Sequence, residues 1–422
     1  MSFETAVSGI KASSLSLGII GNNIANAGTT GFKASRGEFA DVFTTSLLGS
    51  STDTAGKGVA VVGVNQTFTQ GNITYTDNVL DMAINGSGFF VLNDKGTNIY
   101  SRAGNFQVDR DGHVVNAQGA KLMVFKTTQS GAPTGEMVPM KIDSSLIQPK
   151  ATGAISVTAN LDSRALVPTS TWPTDGFDAF ADPPTSPAPE MFNSSTSYTI
   201  YDSMGNAHVQ SLYFVKSDTA NEWNVHALID GVSVGAPTPI TFNTAGKVDP
   251  ASLPLEIDIS GWQPLDSEGV ASGALPQDLT IDLSALSQFG NDFSVNNIAQ
   301  DGYTTGQLRG VEVGDKGVVY ARYTNGQARA LGQIALANFS NTAGLQPLGS
   351  TAWAETFASG APAIGAPGTA GLGMVESGAL EESNVEVTQQ LVDMIVAQRN
   401  FQANAKVIQT VDTVTQAVIN LR

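Results

Sequence analysis

The amino-acid sequence predicts a multidomain, mainly β protein of nested architecture. N- and C-terminal α-helices pair as a coiled-coil-like domain, and two β domains are inserted between them. Three observations carry this. Each end of the 422-residue chain has a seven-residue apolar repeat. Almost everything between the ends alternates in the two-residue period of strands, punctuated by turn residues. Residues 149–300 differ sharply in composition from their flanks.

At the N-terminus Phe3, Ile10, Leu17 and Ile24 recur every seven positions, with Val7, Ser14 and Gly21 interleaved. At the C-terminus Val387, Met394, Phe401, Ile408 and Thr415 do the same, with Leu391, Gln398, Ala405, Asp412 and Ile419 between them. Alternating three- and four-residue spacing is the seam of a coiled coil. Neither helix buries its seam alone, so the two are expected to bury them in each other. Val407, Val411, Val414, Val418 and Leu421 form a second stripe on the last helix. Apolar surface on more than one side of a helix calls for more than one neighbour, which points to self-assembly. An ordinary two-helix hairpin packed on its own β domain is the simpler alternative. The first helix is expected to end at Asn26-Ala27-Gly28, with Gly28 as a left-handed cap. Ser383-Asn384-Val385-Glu386 reads as a capping box that starts the last helix near Ser383.

The β blocks follow from alternation and turn chemistry. Met82–Ile84 and Phe89–Leu92 flank Gly86-Ser87-Gly88, and Asn105–Asn116 alternates around Asp109-Arg110-Asp111-Gly112. Gly317–Tyr323 and Gly332–Phe339 flank Asn325-Gly326, a strong hairpin signal. These two blocks are expected to form one domain split by the segment between them. That segment, 149–300, holds 17 Asp and Glu against 4 Lys and Arg, and 13 of the 18 prolines. Within it, Pro168–Pro189 reads as a long exposed loop. Ser197–Asp202 and His208–Lys216 flank a turn at 203–206, and Trp223–Ile229 runs into the turn Asp230-Gly231. The expected domains are therefore 1–30 plus 380–422 (terminal helices), 31–70 plus 359–379 (connector, with Gly49-Ser50-Ser51 and Gly56-Lys57-Gly58), 71–148 plus 301–358 (split inner β domain) and 149–300 (outer acidic β domain).

Composition excludes several functions. A net charge of −17 argues against nucleic acid and anionic membrane surfaces as partners. No run of 18 apolar residues exists, so membrane insertion is not expected. The N-terminus lacks the basic and unbroken apolar regions of a cleaved signal peptide. Cysteine is absent, which removes disulfides, thiol catalysis and cysteine–metal sites together. Gly86-x-Gly88 sits between strands with no following helix, so it reads as a tight turn and not a phosphate loop. Asp109-x-Asp111-Gly112 lacks the further ligands of a calcium loop. His226, on the polar face of its strand, reads as a solvated side chain. No constellation argues for catalysis, metal or cofactor, and an enzyme is not expected.

Several of these segments resemble the bacterial flagellar rod and hook axial family. Asn22-Asn23-Ile24-Ala25-Asn26 with Thr30-Gly31-Phe32-Lys33 is similar to its N-terminal signature. Ser383-Asn384-Val385-Glu386 with Gln398-Arg399-Asn400-Phe401-Gln402-Ala403-Asn404-Ala405-Lys406 is similar to its C-terminal one. Leu80–Phe90 is similar to a block shared by distal rod and hook members. Tyr320–Phe339 and Gly344-Leu345-Gln346-Pro347-Leu348-Gly349 resemble the hook members specifically.

The resemblance implies an extracellular structural subunit of the flagellar hook, a curved hollow tube acting as a universal joint between rod and filament. It implies export through the flagellar type III apparatus without a cleaved signal, and assembly as a homopolymer beneath a hook cap protein. The distal rod protein and the hook-filament junction protein are implied as neighbours. The self-assembly residues would be Phe3, Val7, Ile10, Leu17, Ile24, Val387, Leu391, Met394, Phe401 and Ile408. Phe3 and Val7 also resemble an export-gate motif. Terminal helices would line the tube, with residues 149–300 outermost. A distal rod protein of the same family is the alternative reading, and a secreted β-rich hydrolase is the alternative from a different class.

Overall fold

The structure is a computed structural model that describes residues 3–42, 56–128, 131–314 and 316–420. Gly49-Ser50-Ser51, Leu421 and the side chain of Val418 lie outside the described residues. The chain divides into two compact units. One comprises 1–144, 309–322 and 328–422, and the other 145–308 with 323–327.

The first unit begins and ends in helix. α1 spans Phe3–Ala25 and α2 spans Val387–Asn420. At 1.5 Å per residue α2 is about 50 Å long. α1 ends where expected, but Gly28 is not its left-handed residue. The positive φ falls at Gly31 (+69°), where a Cβ would collide with the backbone nitrogen of Ala103. Glycine is required there because a β-domain strand end passes against the turn. The capping box does not form either. The Ser383 hydroxyl accepts from Val385 N (3.3 Å), and the first helical bond runs from Gln390 N to Glu386 O (3.0 Å). The helix therefore starts three residues later than the motif predicts, with Glu386 in place of Ser383 as its cap. Asn384 is already committed: its amide donates to Thr67 O, and its oxygen accepts from Ala34 N.

Between the helices, Ser35–Asp41 and Val59–Gln66 form an antiparallel hairpin. The main sheet interleaves both halves of the chain. Its strand order is Leu308–Val313, Val318–Tyr323, Ala328–Ile334, Lys121–Thr127, Phe89–Asp94, Thr97–Ser101, Ala352–Ala354 and Gln346–Gly349. Gln333 pairs with Phe125 and Leu336 with Phe90, so neither block closes a sheet without the other. Residues Ala363–Gly365 add a strand beside Leu336–Asn338, and Met374–Ser377 pairs with Met82–Asn85. The core is aromatic. Phe89 meets Phe68, Phe339 and Trp353 edge-on at 5.4–5.8 Å, and Tyr100 meets Phe339 at 4.8 Å. Such geometry places positive ring edges against negative faces.

The second unit is built of two sheets over one apolar core. Ala154–Asp162 is central in the first. It runs parallel to Gln277–Asp282 and Ser287–Phe289 and antiparallel to Ser294–Gln300. The second sheet is a meander of Ser194–Tyr201, Ala207–Lys216, Glu222–Ile229 and Val232–Thr241. Val157, Leu161, Phe214, Trp223, Val225 and Ile281 are fully buried among them. Asp230 and Gly231 both have positive φ (50° and 82°), the two-residue turn that matches strand twist. The Pro168–Pro189 segment carries no strand, yet it is not loose. Trp172 stacks on His226 at 4.1 Å, and Phe177 is buried, its N–H held by the Ser233 hydroxyl. His226 is thus half-covered by an indole and not solvated, and burial pushes its pKa down to about 4. A loop that supplies its own aromatic lid was not readable from the polar pattern of the strand beneath.

Candidate functional site: the terminal helix pair

α1 and α2 pack on each other as expected, antiparallel, with Gly9 against Asn404 and Asn23 against Gln390. The contact face differs from the predicted seam. In α1 the buried positions are Ala6, Ser13 and Ile20, seven apart, and Asn23, three residues further on. A Cβ on Gly9 would lie 2.7 Å from the Asn404 amide, so the backbone approaches closely there. Asn23, 2% exposed, donates to Gln390 Oε1 (3.0 Å) and Ser35 O (2.9 Å) and accepts from Ser35 N (2.9 Å). One side chain thereby joins α1, α2 and the hairpin. On α2 the buried counterpart is Ala397.

Large apolar residues stay uncovered as a consequence. Phe3 is 55% exposed and Leu391 47%. Val387, Val392, Ile395, Val396 and Phe401 are also exposed. Val7, Ile10, Leu17, Ile24, Met394 and Ile408 are half-buried. Small residues let two helices approach, whereas the bulky register faces elsewhere. The expectation that the two seams bury in each other is corrected on this point. The hairpin covers part of α1: the Ser8 hydroxyl accepts from Val59 N (3.2 Å), and Ile19 lies against Gly37. An open groove of about 510 Å³ remains between α1, α2 and the hairpin, with Ile19, Ile20, Phe39, Val396 and Ala397 in its lining.

Both helix roots are anchored to one buried ion cluster. Glu381, six residues before α2 begins at Val387, accepts from Lys33 Nζ (2.6 Å), Arg102 (3.1 Å) and Gly71 N (2.9 Å). Lys33 also donates to Thr69 O, and Arg102 to Gly86 O and Ile84 O. Burial holds both cations' pKa values below their usual range, against the opposing pull of Glu381. Sequence reasoning quoted Lys33 only within a signature and missed the cluster, because its members are far apart in the chain. Ala6, Gly9 and Ser13, small residues spaced three and four apart, were a readable signal for the helix contact.

Elsewhere, Asp109 Oδ1 accepts from Asp111 N and His113 N, which makes the loop an Asx turn. Gly86 and Gly88 have φ of 112° and 122° and form a turn. Among the described residues no group of His, Asp and Glu is placed to hold a metal ion, and no helix is long and apolar enough to cross a membrane.

A β chain nested between paired terminal helices with surplus apolar stripes defines the class of axial assembly subunits. Comparison with known proteins agrees. Residues 3–33 match a model of flagella basal body rod proteins, and 376–421 one of the flagellar basal body rod FlgEFG C-terminal segment. Residues 83–160 match the flagellar hook protein FlgE/F/G D1 domain, and 160–303 the flagellar basal body protein FlaE D2 domain. The chain is 39% identical to the flagellar hook protein FlgE of Salmonella typhimurium and 38% identical to that of Escherichia coli K12, over the full length of each. It also shares its fold with the crystal structure of Helicobacter pylori flagellar hook protein FlgE2 (TM-score 0.51, 16% identity, covering 72% of this chain and 99% of that one). The chain belongs to the flagellar hook protein family.

Proposed function

We propose that this chain is the structural subunit of a bacterial flagellar hook. It polymerises with itself into a curved, hollow tube that works as a universal joint between rod and filament, and it is not an enzyme. The observation that carries this reading is the apolar stripe of α2, which its own chain leaves uncovered from Val387 to Phe401. Exposed apolar area of this extent on a helix is stabilised by burial against further copies. Val7, Ile10, Leu17, Ile24, Met394 and Ile408 would complete their burial there.

Family membership supports a place in the flagellum. The finer reading is export through the flagellar type III apparatus without a cleaved signal, with Phe3 and Val7 contacting the export gate before α1 folds. Assembly would proceed under a hook cap protein, between the distal rod protein and the hook-filament junction protein. The domain scheme would then follow the assembly: helices 1–30 and 380–422 as the polymerising layer, 71–148 with 301–358 as the inner β domain, and 149–300 as the acidic domain that keeps monomers soluble. Residues 31–70 and 359–379 would connect helices to β domain.

Electron microscopy of the purified chain after salt-induced polymerisation tests the proposal. Curved tubes are expected. A short straight shaft would identify a rod subunit instead, and a chain that stays monomeric would overturn the reading.

A further inference from the structure

Phe357 is the most exposed large apolar side chain of the described residues, at 106% of its reference exposure. Its loop is nevertheless fixed. The Thr356 hydroxyl donates to Gly344 O (2.6 Å) and accepts from Ala358 N and Ser359 N (3.1 and 3.2 Å). Thr356 N donates to the Ser359 hydroxyl (2.9 Å), which donates back to Thr356 O (2.8 Å). Asn341 Nδ2 donates to Ala358 O (3.0 Å), and Ser359 is fully buried. Gly344 permits this packing, since a Cβ there would lie 2.5 Å from the Ala358 carbonyl carbon. A phenyl ring is thus presented to solvent on a loop with no freedom to fold it away. That is the pre-organised anchor of an interface.

The surroundings say what kind of partner it meets. From residue 330 to 375 the sole charged side chain is Glu355, although charged residues make up 14% of the chain. The Tyr100 hydroxyl donates to that carboxylate (3.0 Å). The neighbouring hairpin, Gln346–Gly349 with Ala352–Ala354, lies at the end of the sheet order and carries exposed Leu348. A basic partner would be drawn to the acidic surface of a chain with net charge −17. A partner of equal net charge meets least repulsion where charge is sparse. The identical chain is that partner.

We propose that Phe357 is an anchor that inserts into a second copy of this chain in the polymer, on a face formed by the 341–344 turn, the 346–354 hairpin and the 355–360 loop, in which Glu355 is the one charged side chain. The contact is heterologous, a projection on one copy entering a different surface on the next, which generates an open polymer. This rests on the self-assembly reading and adds a contact outside the helices. Burying a phenyl group shifts an association constant by about ten- to a hundredfold.

The test uses the full chain. Phe357→Ala should melt as the wild type does, because the ring touches nothing in the monomer, while its critical concentration for polymerisation rises by about tenfold or more. In parallel, a photoreactive benzoylphenylalanine placed at 357 should crosslink copies into a covalent ladder in irradiated tubes, and none in irradiated monomer. Wild-type polymerisation with an unchanged critical concentration for Phe357→Ala would overturn this inference and leave the self-assembly reading standing. So would crosslinks confined to the probe's own chain. Should the Ala variant fold poorly, the photo-probe alone decides. A wild-type chain that does not polymerise at all overturns both.

Discussion

The ammonium group of Lys33 lies 2.6 Å from the carboxylate of Glu381, and neither side chain has any solvent exposure. The two residues are 348 positions apart and stand at the feet of the two terminal helices. Arg102 completes the cluster from the β domain. A buried ion pair is a weak source of net stability, but removing one partner leaves an unpaired buried charge. The cluster therefore acts mainly as a register device. It fixes where both helices leave the sheet, so that α1 meets α2 antiparallel with Gly9 opposite Asn404.

Glu381→Gln should be severe for its size. It keeps the volume and leaves Lys33 and Arg102 facing a neutral amide. The expected cost is about 3–5 kcal/mol. Hydrogen exchange should accelerate at Lys121–Thr127 in the first unit and stay unchanged at Glu222–Ile229 in the second. Arg164→Gln, which breaks an exposed pair with Asp162 and Asp292, should change neither. Equal protection in Glu381→Gln and wild type would show that the cluster is dispensable.

The helix contact yields a second prediction. Asn23→Ala deletes three hydrogen bonds that tie α1 to α2 and the hairpin. It leaves the Ser35 backbone N–H without its side-chain acceptor. A loss of roughly 1–3 kcal/mol is expected, confined to α1 and the hairpin. Limited proteolysis should then cut within residues 20–35 at least several times faster than in wild type. The sheet core should resist as before. Leu17→Asp, on the half-buried register, should leave this cleavage rate unchanged and block tube formation instead.

Two histidines in the second unit give its stability a maximum in pH. Burial under Trp172 holds His226 at about 4, below its free value of 6.5. A depressed histidine resists protonation only in the folded state. Its stability contribution therefore falls as pH drops from about 6.5 towards 4. His208 behaves oppositely. Its Nδ1 lies 2.6 Å from Asp230, which raises its pKa against the effect of burial, and Asp202 adds to the rise. That contribution is fully present below 6.5 and is lost as pH rises through the raised value. His226→Phe, which keeps a ring beneath Trp172, should flatten the acid limb of a melting-temperature profile. His208→Asn should flatten the alkaline limb. An unchanged acid limb in His226→Phe would mean that carboxylates such as Asp202 and Asp301, both held low, dominate there.

Much of this fold was legible because its signals are local. Asn325-Gly326 turns where expected, with Arg322 opposite Ala328. Asp230-Gly231 does so between Ile229 and Val232. The paired terminal helices followed from their seven-residue repeats. The face they share did not, because apolar size was weighted over close approach, and Ala6, Gly9 and Ser13 are small. Gly28 and the Ser383 box failed for one reason. Their backbones are governed by residues remote in sequence, Ala103 against Gly31 and Thr67 against Asn384. The same remoteness hid Glu381 and the lid over His226.

The last prediction separates the two units. The segments by which the chain enters and leaves residues 149–300 run side by side, with Ile147 N bonded to Gly306 O (2.9 Å) and Lys150 paired with Tyr303 (2.9 Å). A short Gly/Ser linker can therefore replace residues 149–300, because loop length enters closure entropy only logarithmically. The sheet of the first unit takes its aromatic core from Phe68, Phe89, Tyr100, Phe339 and Trp353, none of which is removed. It should remain folded, as judged by protection of Phe89–Asp94 and Lys121–Thr127. α1, α2 and the Phe357 loop also remain, so the shortened chain should still form tubes. The acidic segment supplies −13 of the net −17, and its loss should lower the salt needed for polymerisation by weakening repulsion between copies. On the proposed placement of this segment at the outside of the tube, its loss should change tube shape, and electron micrographs should show straight or irregularly curved tubes. Absence of any polymer from a folded, shortened chain would place essential assembly contacts in residues 149–300 and reverse the assignment of the terminal helices as the polymerising layer.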